Sequence, residues 1–115
     1  MDLDALRTFC LSLPGTSEDI KWKKDLCFLV GEKMFCVASL EPPLTYSFKV
    51  TDEEFDELAS REGFLPAPYM ARAKWVLVND PVRLKTKDAA RYIRQSYALV
   101  AARLTKKRRN ELGLE

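Results

Sequence analysis

The sequence predicts a two-layer α+β sandwich, an antiparallel sheet with helices on one face, and three observations carry that prediction. Two apolar runs, Leu26–Val30 and Lys33–Leu40, are separated only by Gly31-Glu32, the spacing of a tight hairpin. Thr51-Asp52-Glu53-Glu54 is a capping box, with threonine at the cap and glutamate three residues on, so a helix starts there. Ala89, Ile93, Tyr97, Val100 and Leu104 recur at steps of four, four, three and four, the stripe of a long helix lying on a core. The element order is helix, three strands, helix, strand, helix, which suits one antiparallel sheet covered on one side.

Taken along the chain, Leu3, Leu6, Cys10 and Leu13 place a first helix over about residues 3 to 13, with Asp2 and Asp4 at the positive end of its dipole. Pro14-Gly15 stops it, and Thr16-Ser17-Glu18-Asp19 reads as a polar loop. Ile20 to Asp25 interleaves Trp22 with Lys21, Lys23 and Lys24. In the hairpin, glycine at the first turn position predicts a type II′ turn. Pairing Val30 with Lys33 then sets Phe28 opposite Phe35 and Cys27 opposite Cys36, with Leu26, Phe28, Phe35 and Val37 on one face and Cys27, Leu29, Met34 and Cys36 on the other. Both thiols are expected to be reduced, because directly opposed strand positions hold their Cβ atoms wider than a relaxed disulfide prefers.

Glu41-Pro42-Pro43 interrupts the sheet, and Thr45 to Val50 alternates as a strand with Tyr46, Phe48 and Val50 inward. Phe55, Leu58 and Ala59 form the buried side of the capped helix, which Gly63 ends. Trp75-Val76-Leu77-Val78 is a short strand, Asn79-Asp80-Pro81 a turn, Thr86 the cap of the last long helix, and Thr105 the cap of a short basic helix ending at Gly113.

With 115 residues the chain suits one domain, residues 1–115, burying roughly two thirds of its unfolded surface. Hydrophobic residues make up 47% and charged residues 31%, and no window approaches a membrane span, so a soluble, non-membrane protein is expected. The acidic start Met1-Asp2-Leu3-Asp4 does not read as a signal peptide, which makes the cytoplasm the expected compartment. The net charge is only +2, so affinity for a polyanion would depend on how charge is distributed. There is no histidine and no Cys-x-x-Cys, which argues against zinc, against Ser-His-Asp and Cys-His catalysis, and for a protein that is not an enzyme. No cofactor or metal is expected. Glu53, Glu54, Asp56 and Glu57 are explained by capping and the helix dipole.

Pro66-Ala67-Pro68-Tyr69-Met70-Ala71-Arg72-Ala73-Lys74-Trp75-Val76 joins a stiff loop to a basic pair and a strand-opening tryptophan. Together with Pro14-Gly15, Gly31-Glu32-Lys33-Met34-Phe35, Lys49 and Ser96-Tyr97, this ordered set resembles the MmcQ/YjbR family of small bacterial proteins across nearly the whole chain. The resemblance implies a frataxin/CyaY-like α+β fold and a DNA-binding role. Where that family often has a histidine before the tryptophan, this chain has Lys74. Frataxins bind iron through an acid-rich first helix, and here that helix offers only Asp2 and Asp4 followed by Arg7, which disfavours an iron role.

The candidate nucleic-acid contacts are Lys21, Lys23 and Lys24 around Trp22; Tyr69, Arg72 and Lys74; and the run Lys106, Lys107, Arg108, Arg109. Each has a plainer reading. Trp22 can pack inward, Tyr69, Met70 and Trp75 can plug the edge of the core, and Lys106 to Arg109 can be a solvated tail. The first functional expectation is weak, non-specific binding of double-stranded DNA through phosphate contacts, which requires the basic segments to share one side. Its rival is a protein- or small-ligand-binding module, homodimerisation included, using the sheet face that one helical layer leaves uncovered.

Overall fold

The computed structural model describes residues 1–114 and has helices packed on one face of a six-stranded antiparallel sheet. The strands are β1 (Thr16–Lys21), β2 (Asp25–Val30), β3 (Lys33–Ser39), β4 (Tyr46–Lys49), β5 (Phe64–Pro66) and β6 (Trp75–Val78), in the order β1-β2-β3-β4-β6-β5. The helices are α1 (Leu3–Ser12), α2 (Asp52–Ala59), α3 (Thr86–Ala101) and α4 (Lys106–Glu111). The α+β sandwich expected from the sequence is therefore present, with two more strands than expected. Thr16 to Asp19 is not a loop: it pairs along β2 from Thr16↔Val30 to Lys21↔Asp25. Phe64–Pro66 forms the other edge against β6.

The core lies between the sheet and the helices. Leu26, Phe28 and Val30 of β2, Tyr46 and Phe48 of β4, and Val76 and Val78 of β6 meet Leu6 and Cys10 of α1, Leu58 of α2, and Ala89, Ile93 and Val100 of α3. α3 buries Ala89, Ile93 and Val100 of the predicted stripe and Tyr97 in part, whereas Leu104 is buried beyond the end of the helix, and Phe48 stacks on Tyr92 with ring centroids 5.5 Å apart. The capping box of α2 closes as expected, the Glu54 amide donating to Thr51 and the Glu54 carboxylate receiving the Thr51 amide. α3 departs from expectation at its start, where Lys85 is the cap residue and Thr86 is already helical. Thr105 does cap α4, its hydroxyl accepting from the Arg108 amide.

The central hairpin differs from its predicted register, and the reason is local. Val30↔Lys33 and Leu29↔Met34 pair as expected, but Phe28 then faces Cys36 and Cys27 faces Val37, so the strand gains one residue through a β-bulge. Cys27 is consequently not opposite Cys36, nor Phe28 opposite Phe35. The bulge turns both Phe35 and Cys36 to the helical layer, where the Phe35 ring meets Tyr97 edge-on at 5.4 Å and the Cys36 thiol adjoins Cys10. Val37 is carried to the other face with Cys27, Leu29 and Met34. All three cysteines are free and buried, and burial raises the Cys27 thiol pKa and pushes that of Cys36 well up, leaving both poor nucleophiles. The turn itself is type I′ rather than II′, because Gly31 (φ 58°) and Glu32 (φ 68°) are both left-handed. A side chain on Gly31 would approach Leu104 Cδ1 to 2.8 Å, so the glycine also gives the segment leading into α4 its seat.

Candidate functional site

The helix-free face of the sheet carries a groove of about 710 Å3. Its floor is Met34, Val37 and Leu77 with the hydroxyl residues Ser39, Thr45 and Ser47. The turn between β1 and β2 supplies one wall through Trp22, Lys24 and Asp25, and Ala67, Pro68, Tyr69 and Met70 supply the other. Alternation along β6 explains the second wall: Val76 and Val78 enter the core, whereas Trp75 and Leu77 point to the open face. Trp75 is buried there beneath the loop that precedes it. The plainer reading, in which Trp75 plugs the edge of the core, holds for its burial and not for its place, which is outside the main core.

Tyr69 does not share that role. It is 106% exposed, and Trp22 is 64% exposed, against 4% for Trp75. Both exposed rings sit on backbone that favours other residues. In the turn closed by Met70 N–H donating to Ala67 O (3.1 Å), Pro68 holds the first central position and Tyr69 the second, at φ 65°. This is a type II arrangement, whose second central residue is ordinarily glycine. In the β1–β2 turn, Trp22 (φ 54°) and Lys23 (φ 67°) are both left-handed, the pattern that normally selects Asn-Gly. A bulky L-residue in this region costs roughly 1–2 kcal/mol. Lys23, Glu32 and Lys74 are also left-handed, and Trp22 and Tyr69 are the aromatic members of that set, both at the groove.

Replacing Tyr69 by glycine is accordingly expected to stabilise the protein. Relief of the left-handed strain, less the greater freedom of glycine in the unfolded chain, leaves a gain of about 0.5–1 kcal/mol in urea unfolding. A loss of stability instead would show that the ring supports the fold.

The candidate basic residues divide between the two ends of the strands. Lys21, Lys23 and Lys24 lie at the β1–β2 turn, and Lys24 reaches the groove. Arg72 and Lys74 lie at the opposite end, since β6 begins at Trp75 opposite Lys49, the last residue of β4. Lys74 Nζ sits 5.0 Å above the Phe55 ring of α2. Lys106 to Arg109 form α4 in the helical layer beside the Gly31-Glu32 turn, where Arg108 pairs with Glu32 and Glu111. The open face thus unites Trp22, Lys24 and Tyr69, with Lys21 and Lys23 beside them, and leaves the densest basic run on the other side of the sheet.

Lys49 escaped the charge-run criterion because it stands alone in sequence. Its ammonium donates to the carbonyl of Ala73. Its pKa is lowered by desolvation first and by Arg103 second, with Asp52 opposing. With Arg72 and Lys74 it makes that end of the strands basic, although the Lys74 ammonium faces α2 rather than the groove.

The YjbR family model matches residues 11–99. A Deinococcus radiodurans protein with a DUF419 domain is similar in structure, with a TM-score of 0.88 and 30% identity over 98% of this chain and 88% of that one. A Pseudomonas syringae protein shares the fold at a TM-score of 0.71 and 20% identity, covering 86% of this chain and 98% of the other. No curated protein matches. The fold and the ordered motifs agree with these matches, and the chain belongs to the YjbR family.

Proposed function

We propose that this YjbR-family protein is a non-catalytic module that binds nucleic acid weakly and without strong sequence preference, and that the open sheet face is its contact surface. The observation that carries the reading is the pair of exposed aromatics, Trp22 and Tyr69, held at strained turn positions on opposite walls of one groove, with Lys24 lining it and Lys21 and Lys23 in the same turn. Aromatic platforms beside cations are the chemistry of sequence-tolerant nucleic-acid binding, in which phosphate contacts supply affinity and rings supply stacking. The dissociation constant at physiological salt is of the order of 10⁻⁴ to 10⁻⁶ M, weakening steeply with salt.

Fluorescence anisotropy of labelled random-sequence DNA at low and physiological salt tests this. Alanine at Lys21, Lys23 and Lys24 is expected to weaken binding and flatten its salt dependence. Alanine at Lys106, Lys107, Arg108 and Arg109 is expected to have the smaller effect, because α4 lies in the helical layer. An absence of binding at low salt would defeat the proposal. One observation favours a second reading, a small-ligand or protein-binding module: the groove floor is largely apolar and its volume falls in the range of small-molecule sites. Binding that is indifferent to salt would favour it.

A further inference from the structure

We propose that the groove takes unpaired bases, so that its preferred partner is a single strand rather than a duplex; this rests on the nucleic-acid reading above and narrows it. The floor is the first argument. Met34, Val37 and Leu77 offer no donor or charge to a phosphate, so what fills the space above them presents an apolar face, with polar edges for the hydroxyls of Thr45 and Ser47, that of Ser39 being engaged by the Pro43 carbonyl and the Thr45 amide. A nucleobase has that character. The bases of a duplex do not present it, since their faces are stacked on one another and only their edges reach a groove.

The second argument is the disposition of the rings. Trp22 and Tyr69 rise from different loops on opposite walls, and both are far more exposed than a core role allows. A ring contributes most when its face meets another face, and an unstacked base is the part of a nucleic acid that supplies one. Charge fixes where the backbone enters. Lys24 lines the turn end of the groove, with Lys21 and Lys23 in the same turn, so a strand laid on the floor meets its phosphate contacts at that end while its bases turn inward. Asp25 also lines the turn end and stands opposite Lys21 in the β1–β2 ladder, so the local field there is moderated and stacking takes the larger share of the discrimination.

The test compares a short oligothymidylate with a random duplex of equal length, read by anisotropy and by intrinsic tryptophan fluorescence. The two tryptophans separate cleanly, because Trp22 is exposed and Trp75 is buried. The oligothymidylate is expected to bind about tenfold or more tighter than the duplex and to quench Trp22. Trp22→Ala and Tyr69→Ala are each expected to weaken it by about tenfold, whereas Trp22→Phe and Tyr69→Phe stay within about threefold of the parent, with thermal unfolding checked for each. Duplex binding equal to or tighter than that of the single strand, or alanine variants that bind the single strand like the parent, would overturn the inference while leaving phosphate contact intact. Failure of both nucleic acids to bind at low salt would overturn the inference together with the reading beneath it.

Discussion

Replacing Ser96 by alanine is expected to remove about 3 kcal/mol of stability, a large loss for a residue that contributes one hydroxyl. Ser96 lies on α3 and is fully buried. Its Oγ donates to the Phe35 carbonyl at 2.6 Å and accepts from the Lys49 amide at 2.9 Å. Those two backbone groups are where the β3–β4 ladder would continue beyond Cys36↔Phe48, and the bulge at Phe35 and Cys36 interrupts it there. A helix side chain therefore completes a sheet. Without it, a carbonyl and an amide are left unsatisfied, each at about 1–3 kcal/mol. A fall in urea midpoint at unchanged slope would report the loss, and a change below about 0.5 kcal/mol would show that water or a backbone shift replaces the hydroxyl. Ser96→Val, which leaves no room for such water, is expected to cost more than the alanine variant.

Tyr46→Phe is expected to act in the opposite direction. The Tyr46 side chain is fully buried, and its hydroxyl has no hydrogen-bond partner among the described residues. Removing that oxygen is expected to stabilise the protein by about 1 kcal/mol at neutral pH, since a desolvated, unpaired hydroxyl is paid for with no return. The alkaline behaviour is sharper. Burial pushes the phenol up to about 12 from its ordinary 10. Between those values the unfolded chain has released the proton and the folded chain still holds it, so the unfolded state binds fewer protons and stability falls as pH rises. The loss across the window is about 2–3 kcal/mol. Other groups titrate there too, so the quantity to measure is the difference between parent and Tyr46→Phe from pH 9 to pH 12. A difference that does not widen would mean that the hydroxyl finds a partner in solution.

The elements that were legible in the sequence are those whose burial repeats. α3 could be placed from Ala89, Ile93, Tyr97 and Val100 because a long helix must keep one stripe on the core, and the capping box located α2 because its donors have few other acceptors. β1 was hidden because an edge strand with a single neighbour can be polar, and Ser17, Glu18 and Asp19 show no apolar alternation. β5 has three residues, too few for any period. The bulge was hidden for another reason. Met34, Phe35, Cys36 and Val37 are all apolar, so an added residue leaves the hydrophobic pattern intact while exchanging the faces of Cys36 and Val37. At the site, charge density pointed to Lys106–Arg109, yet the groove is built from two loops distant in sequence. Its one local signature, aromatic residues where turn chemistry favours glycine or asparagine, emerges only when the backbone angles are known.

The borders of the sheet bear on how an apolar face can stay uncovered. β5 is three residues long and ends in Pro66, which has no amide proton to offer an incoming strand. β1, at the other border, carries Glu18, Asp19 and Lys21, and Glu18 is held by Arg7 at 2.5 Å. A foreign chain seeking to extend the ladder meets a truncated margin on one side and fixed charge on the other. Polymerisation by strand addition is thereby discouraged at the rim, and the middle of the sheet is free to remain sticky toward a guest that arrives from above.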